Sequence, residues 1–246
     1  LKIALLLTAG VSVHLSLSPP NPPAPPKHCI PQRSFFERCM MVWLETVLDA
    51  LATSSVAFPS LPHAPLSSHL TCPSSSAAQT LIAPSLLLVV GMLFTLFGAI
   101  LRLICYKTLG PMFTFELAIT PMHALVTHGP YAYVRHPSYT GVYMTLLGAT
   151  AVALAPGTWL RECWLQIGYG CCNAPFSETN THRWTFGAGI FFAWFALAFW
   201  ILKVVYALRS TNRRLVTEDT ELRHTFGLAW ESYADRVRWR LLPGVY

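Results

Sequence analysis

Long apolar runs broken by polar stretches set the plan of this chain. Residues 81–106 (LIAPSLLLVVGMLFTLFGAILRLICY) carry no charged side chain before Arg102, and residues 186–208 (FGAGIFFAWFALAFWILKVVYAL) carry none before Lys203. Roughly 20 apolar residues cross the hydrocarbon of a bilayer as a helix, so both runs are expected to span it. Residues 139–156 (YTGVYMTLLGATAVALAP) form a shorter run, expected as a further span between them. Residues 1–17 have one early Lys and a short apolar core. A signal-like segment and a first span both fit, and a first span is favoured in a chain with several. Residues 37–58 are apolar but hold Glu45 and Asp49, which lie four apart and so share a helix face. That face is expected to turn toward protein or water, because ionisable groups are costly in lipid.

The polar stretches read differently from one another. Residues 18–26 (SPPNPPAPP) are too rich in proline to continue a helix, and residues 59–80 are rich in Pro and Ser without a hydrophobic period, so both are expected as loops. Residues 107–138 and 157–185 are polar or mixed connections, and the segment from Arg209 is highly charged and helical in character. Composition agrees with lipid as the solvent. Of 246 residues, 53% are apolar and 11% charged, with a mean hydropathy of +0.45. Soluble domains usually carry about 25% charged residues. The net charge of +6 is read as marking cytoplasmic loops, not a nucleic-acid partner, since no basic cluster is interleaved with aromatics. The seven cysteines are odd in number and include no C-x-x-C pair, which argues against a disulfide framework and against a zinc site. Adjacent Cys171 and Cys172 read as ordinary thiols.

Arg102 and Lys107 flank the end of the 81–106 run, which puts that end in the cytoplasm. The runs 139–156 and 186–208 then leave and return. The segments 107–138 and 209–246 meet on one membrane face, where a polar site made from both is possible. The expected fold is all-α: a polytopic transmembrane helical bundle with a cytoplasmic cofactor pocket formed by a loop and a C-terminal helical tail. Residues 1–80 are expected to hold N-terminal membrane segments and loops, and residues 81–246 the catalytic region.

Two segments carry candidate chemistry. The first runs from His123 through His128-Gly129-Pro130-Tyr131 and Arg135-His136-Pro137-Ser138-Tyr139 to Gly141. Gly129-Pro130 forces a turn and Pro137 breaks or starts a helix. Backbone left non-helical beside a span must be satisfied by protein or by a polar ligand. Tyr and Arg commonly sit at the headgroup level, and a lone Tyr would be read that way. The crowding of Tyr131, Tyr133, Arg135, His136 and Tyr139 points instead to a site. The second segment runs from Arg213 to Tyr233. Arg214 and Glu218 share a helix face at i, i+4, which for an exposed pair contributes only a few tenths of a kcal/mol. Leu222, Phe226 and Trp230 repeat every four residues as a packing stripe, and Gly227 ends a helix or allows a bend.

These residues carry a resemblance. The run H-A-L-V-T-x-G-P-Y-x-x-V-R-H-P-S-Y-T-G, followed by R-x-x-x-E, L-x-x-x-F-G-x-x-W-x-x-Y and P-G-V-Y, resembles the isoprenylcysteine carboxyl methyltransferase family. The likeness is strongest to its fungal branch, which has similar G-T-W-x-R-E and R-L-x-P-x-x-Y segments. It covers residues 81–246; the loop 165–183 departs from the pattern and lies, by the topology above, on the far face. R-H-P-x-Y-x-G alone is shared with phospholipid methyltransferases, whereas its combination with H-x-L-V-T and the R-x-x-x-E helix is specific. The resemblance implies S-adenosyl-L-methionine as methyl donor, prenylated C-terminal cysteines of small GTPase or pheromone type as acceptors, and a multi-pass protein of the endoplasmic reticulum membrane, with neither metal nor nucleic acid. It implies donor contacts from His123, Ala124, Leu125, Val126, Tyr131, His136, Pro137, Ser138, Tyr139 and Glu218. A further donor position falls at Glu116, where some relatives carry Gln. Arg214, one turn before Glu218, is linked to the acceptor, and Arg214 with Glu218 forms the catalytic pair.

Three other readings share part of this pattern. A phospholipid N-methyltransferase would need a base to deprotonate its amine and would leave Arg214 without a carboxylate to hold. A sterol reductase using NADPH resembles the R-H-x-x-Y-x-G run and the C-terminal ending, but is longer with more spans. An inactive membrane scaffold is disfavoured by the intact Arg214, Glu218 and Arg135–Tyr139.

Overall fold

The computed structural model describes residues 1–18, 35–58, 81–113, 124–165 and 180–245, with the side chains of 35–41 and 180–189 outside that description. The described residues are helical, with no β-strand among them. In chain order they form α1 (Lys2–Leu17), α2 (Phe35–Ala57), α3 (Leu86–Leu109), α4 (Pro137–Ala153), α5 (Asn180–Phe226) and α6 (Leu228–Arg236). Short 3-10 turns cover Gly110–Met112 and Gly129–Ala132, and a π-helical turn covers Leu160–Leu165.

Two of these helices are long and apolar enough to cross a membrane: Leu86–Met112 and the Ile190–Phe226 part of α5. α4 has 17 residues and α1 has 16, both short of that mark. The further spans expected over 139–156 and 1–17 are therefore helices, but not ones that length alone identifies as spanning. α5 departs from expectation in extent. It begins within the stretch read as a mixed loop and runs without a break through the charged segment after Leu208. The reason is local: no Gly or Pro occurs from Ile190 to Phe226. Gly227 then stops the helix with φ +53, a left-handed conformation that a Cβ disfavours, and α6 starts on its far side.

Two compact units are distinguished. The first comprises Leu1–Val11, Met40–Phe94 and Leu147–Val204. Its apolar centre joins Leu165, Ala193 and Leu197 to Leu154, Leu160 and Trp164. Its glycines let helices approach closely: a Cβ on Gly91 would stand 2.9 Å from Gly148 O in α4. Asp49 is buried here. The Lys2 ammonium meets Asp49 Oδ1 at 2.7 Å, Thr53 Oγ1 at 3.0 Å, Leu81 O at 3.1 Å and Gly157 O at 2.6 Å. The acidic face of α2 thus turns to protein at Asp49. Cys163, in the π-helical turn, is disulfide-bonded; one bridge does not make the framework that the odd cysteine count argues against. Cys171 and Cys172 lie outside the described residues.

The second unit comprises Ser12–Cys39, Thr95–Leu146 and Val205–Tyr246. Arg102 is buried in it at 3% exposure. Its Nε donates to Ser16 O at 2.5 Å and its Nη1 reaches Ser138 O at 3.2 Å and Ser138 Oγ at 3.4 Å. The structure turns Arg102 inward, where these oxygens accept from it. Gly141 lies directly against it, where a Cβ would stand 2.6 Å from Arg102 Cγ.

Candidate active site

The site residues belong to the second unit. Pro137 occupies the first position of α4, where its missing N–H costs nothing and its fixed φ suits the helix start. The preceding residues pair with the C-terminal segment like a short ladder: Arg135 N donates to Trp239 O and His136 N to Arg240 O, each at 2.9 Å. Thr140 Oγ1 extends the pairing to Leu241 O at 2.7 Å. The Tyr233 hydroxyl of α6 donates to Tyr131 O at 2.8 Å and so fixes the Gly129–Ala132 turn. Burial pushes the Tyr233 phenol up to about 12 and the Tyr131 phenol well above its usual value, so both remain protonated donors.

The charged end of α5 meets this turn. His136 Nε2 lies 2.8 Å from Asp219 Oδ1, and His136 Nδ1 lies 3.7 Å from Glu218 Oε2. Asp219 Oδ2 takes Arg135 Nη1 and Arg240 Nε, each at 3.2 Å. The rings of His136 and Tyr139 stand 5.8 Å apart. The Tyr139 hydroxyl lies against Glu218, with Arg214 nearby, and Tyr131 also feels the Glu218 charge. Arg214 Nε and Glu218 Oε2 are buried, yet neither has a hydrogen-bond partner among the described residues. Buried polar atoms are almost always paired, so two such atoms of opposite charge on successive turns of one helix make a candidate place for a polar ligand. Arg135 Nε and Trp230 Nε1 share that condition. Arg135, however, already commits its other nitrogens to Asp219 and to Arg238 O, and its guanidinium lies 5.8 Å from the Trp230 ring.

The structure therefore brings together Tyr131, His136, Tyr139, Arg214 and Glu218, with Pro137 and Ser138 between them in the chain. Ser138 is held from behind by Arg102. Ala124, Leu125 and Val126 follow a different course: Ala124 N donates to the Met112 sulfur at 3.4 Å, and no hydrogen bond or ion pair among the described residues joins the three to Glu218. Glu116 and His123 lie outside the described residues. Leu222, Phe226 and Trp230 are half-buried, a packing stripe only in part. Asp219 was missed by the sequence reading. Its signal was present, since two adjacent acids where the resemblance requires only one invite the question of what the second holds. Among the described residues no group of three His, Cys, Asp or Glu side chains is placed to hold a metal ion.

Two helices long and apolar enough to cross a membrane, with unpartnered buried polar atoms on the charged end of one of them, suggest a helical membrane protein with a candidate site there. Comparison narrows the class. Residues 89–160 match the model of the isoprenylcysteine carboxyl methyltransferase family. A "probable protein-S-isoprenylcysteine O-methyltransferase" of Oryza sativa subsp. indica is 28% identical over 150 residues, 60% of this chain and 57% of that protein. The protein-S-isoprenylcysteine O-methyltransferase of Xenopus laevis is 34% identical over 85 residues, 32% of this chain and 30% of that protein. A Delta(14)-sterol reductase of Septoria lycopersici is 28% identical over 122 residues, 50% of this chain and 21% of that protein. Part of the chain is thus similar to the isoprenylcysteine carboxyl methyltransferases, and the match spans little more than half the length of the rice protein. No solved structure matches.

Proposed function

We propose that this chain transfers a methyl group from S-adenosyl-L-methionine to the free C-terminal carboxylate of a prenylated cysteine, giving the methyl ester. The acceptors would be prenylated proteins of small GTPase or pheromone type, met at the endoplasmic reticulum membrane by a multi-pass protein. The family relation supports the acceptor class. The observation that carries the reading is the pair of buried atoms Arg214 Nε and Glu218 Oε2, each without a hydrogen-bond partner among the described residues.

These residues fit both ligands. A carboxylate needs a cation, which Arg214 supplies, preferably through a bidentate pair. The donor carries an ammonium group and ribose hydroxyls, all hydrogen donors, which suit the acceptors Glu218 and His136. Tyr131, Pro137, Ser138 and Tyr139 complete the wall, with Ala124, Leu125, Val126, Glu116 and His123 as further contacts drawn from the resemblance. When bound, the donor supplies a sulfonium methyl whose C–S bond breaks as a carboxylate oxygen bonds to the carbon. The acceptor carboxyl has a pKa near 3.5 and is already ionised at neutral pH, so no residue needs to act as a base. The chain's work is orientation and exclusion of water, which can contribute roughly 7–11 kcal/mol. Arg214 must hold the carboxylate without overbinding it, because the attacking oxygen loses charge on the way to the ester.

The test is transfer of label from S-adenosyl-L-methionine to a small S-farnesylcysteine analogue in membranes containing this protein. Base-labile methyl ester on the analogue is the expected product. Label in phospholipid amines, with none on the analogue, would overturn the reading.

A further inference from the structure

We propose that Arg102 is a positioning residue of the candidate site: from α3 it fixes the first turn of α4, and with it the side chains that face Glu218, against the end of α1. The inference rests on the methyl-donor reading only for the ligand whose binding reports on that turn.

Two side chains at the start of α4 face Glu218. The Tyr139 hydroxyl lies against it, and His136 Nδ1 stands 3.7 Å from its Oε2. Ser138 lies between the two in the chain. Ser138 O and Ser138 Oγ both accept from Arg102 Nη1, at 3.2 and 3.4 Å. The rest of the guanidinium is held elsewhere. Its Nε donates to Ser16 O, in the last turn of α1, at 2.5 Å, and to the Tyr106 hydroxyl, one turn further along α3, at 2.8 Å. The Tyr106 hydroxyl donates in turn to Ser16 O at 2.7 Å. One side chain therefore reaches from the last turn of α1 to the first turn of α4.

The neighbours leave room for that reach. A Cβ on Gly141 would stand 2.6 Å from Arg102 Cγ and 3.3 Å from its Cδ, so only a bare residue lets the stem cross α4 here. Arg102 is also buried inside the apolar helix Leu86–Met112, where a cation is costly. Packing alone gives no reason for a guanidinium at this place; a planar fork that reaches oxygens of two other helices at once does. The contact between α1 and α4 has a second link that does not involve Arg102, from Ser16 Oγ to Thr145 Oγ1 at 2.8 Å. Loss of Arg102 is therefore expected to be felt at the first turn of α4 and not along the whole helix.

The test uses the full chain in nanodiscs. Arg102→Met is expected to weaken binding of labelled S-adenosyl-L-methionine about tenfold or more, as for one lost hydrogen bond to a charged group, with the number of binding sites unchanged. Fewer sites at unchanged affinity would make Arg102 merely structural and overturn the proposal. Hydrogen exchange gives a second readout that needs no donor. In Arg102→Met the amides of residues 138–141 should exchange faster, while those of residues 148–153 exchange as in the wild type; equal acceleration along α4 would also overturn it. Where Arg102→Met does not fold, Tyr106→Phe removes the hydroxyl that holds the guanidinium and keeps the cation. Donor binding about threefold weaker is expected there, and unchanged affinity counts against the proposal. A wild type that binds no donor would sink the methyltransferase reading, and the exchange pattern would still decide the role of Arg102.

Discussion

Two buried polar clusters in this chain look alike in composition and differ in what they leave undone. Around Lys2 every group is answered from within: the ammonium meets four oxygens, and Asp49 takes Lys2, Thr53 and the backbone N–H of Trp159. Around Asp219 the carboxylate is equally filled, by His136, Arg135 and Arg240, yet beside it Glu218 Oε2 and Arg214 Nε have no hydrogen-bond partner among the described residues. The first arrangement is complete without a ligand and reads as structure. The second leaves buried polar atoms open and is the candidate site. Buried charge by itself does not announce function; two open atoms of opposite sign one turn apart on a helix make a candidate site.

That contrast can be broken first at its filled side. Lys2→Met leaves Asp49 as an uncompensated buried charge, which should lower stability by about 3–5 kcal/mol. Thermal unfolding in detergent would show it. Lys2→Met combined with Asp49→Leu should recover much of the loss, because an apolar pair of similar volume removes the stranded charge. No recovery would mean that the cluster does more than satisfy itself.

At the open side the loss should appear in activity and not in folding. Arg214→Ala and Glu218→Ala should each slow methyl transfer about a hundredfold to a thousandfold, as expected for removing a positioned electrostatic contact. Helicity by circular dichroism should stay unchanged. Near-normal turnover in both variants would undo the assignment.

A smaller effect tests the support behind the turn. Gly141→Ala would place a Cβ 2.6 Å from Arg102 Cγ and 2.8 Å from Gly98 O, so it should cost about 1–3 kcal/mol through overpacking. The readout is the unfolding midpoint, together with weaker donor binding where Arg102 no longer reaches Ser138. The smallest expected change is at the α5–α6 corner. There Arg223 pairs with Glu231 at 2.7 Å across Gly227, with the two side chains 65% and 41% exposed. Arg223→Ala should shift stability by less than about 1 kcal/mol, and less still in high salt.

Much of the site could be read from residue order. Pro137 starts a helix, Gly227 ends one, and Arg214 with Glu218 share a face, all for reasons confined to a few neighbouring residues. The extent of α5 is less legible for the opposite reason: a change to polar residues marks no boundary where the backbone has no cause to stop. The burial of Arg102 is not legible, because charge at the end of an apolar run says nothing about which oxygens lie within its reach. Asp219 went unassigned because its partners are 83 and 84 residues earlier in the chain, and one more, Arg240, lies after it.

The order of residues alone determined that this is an apolar helical chain with one tyrosine- and histidine-rich turn and one arginine–glutamate face, since hydropathy and helical periodicity are local properties. Only the tertiary structure decided which charges are paired within the fold and which are left open. Pairing is a matter of distance in space, and a partner a hundred residues away leaves no local mark on the sequence.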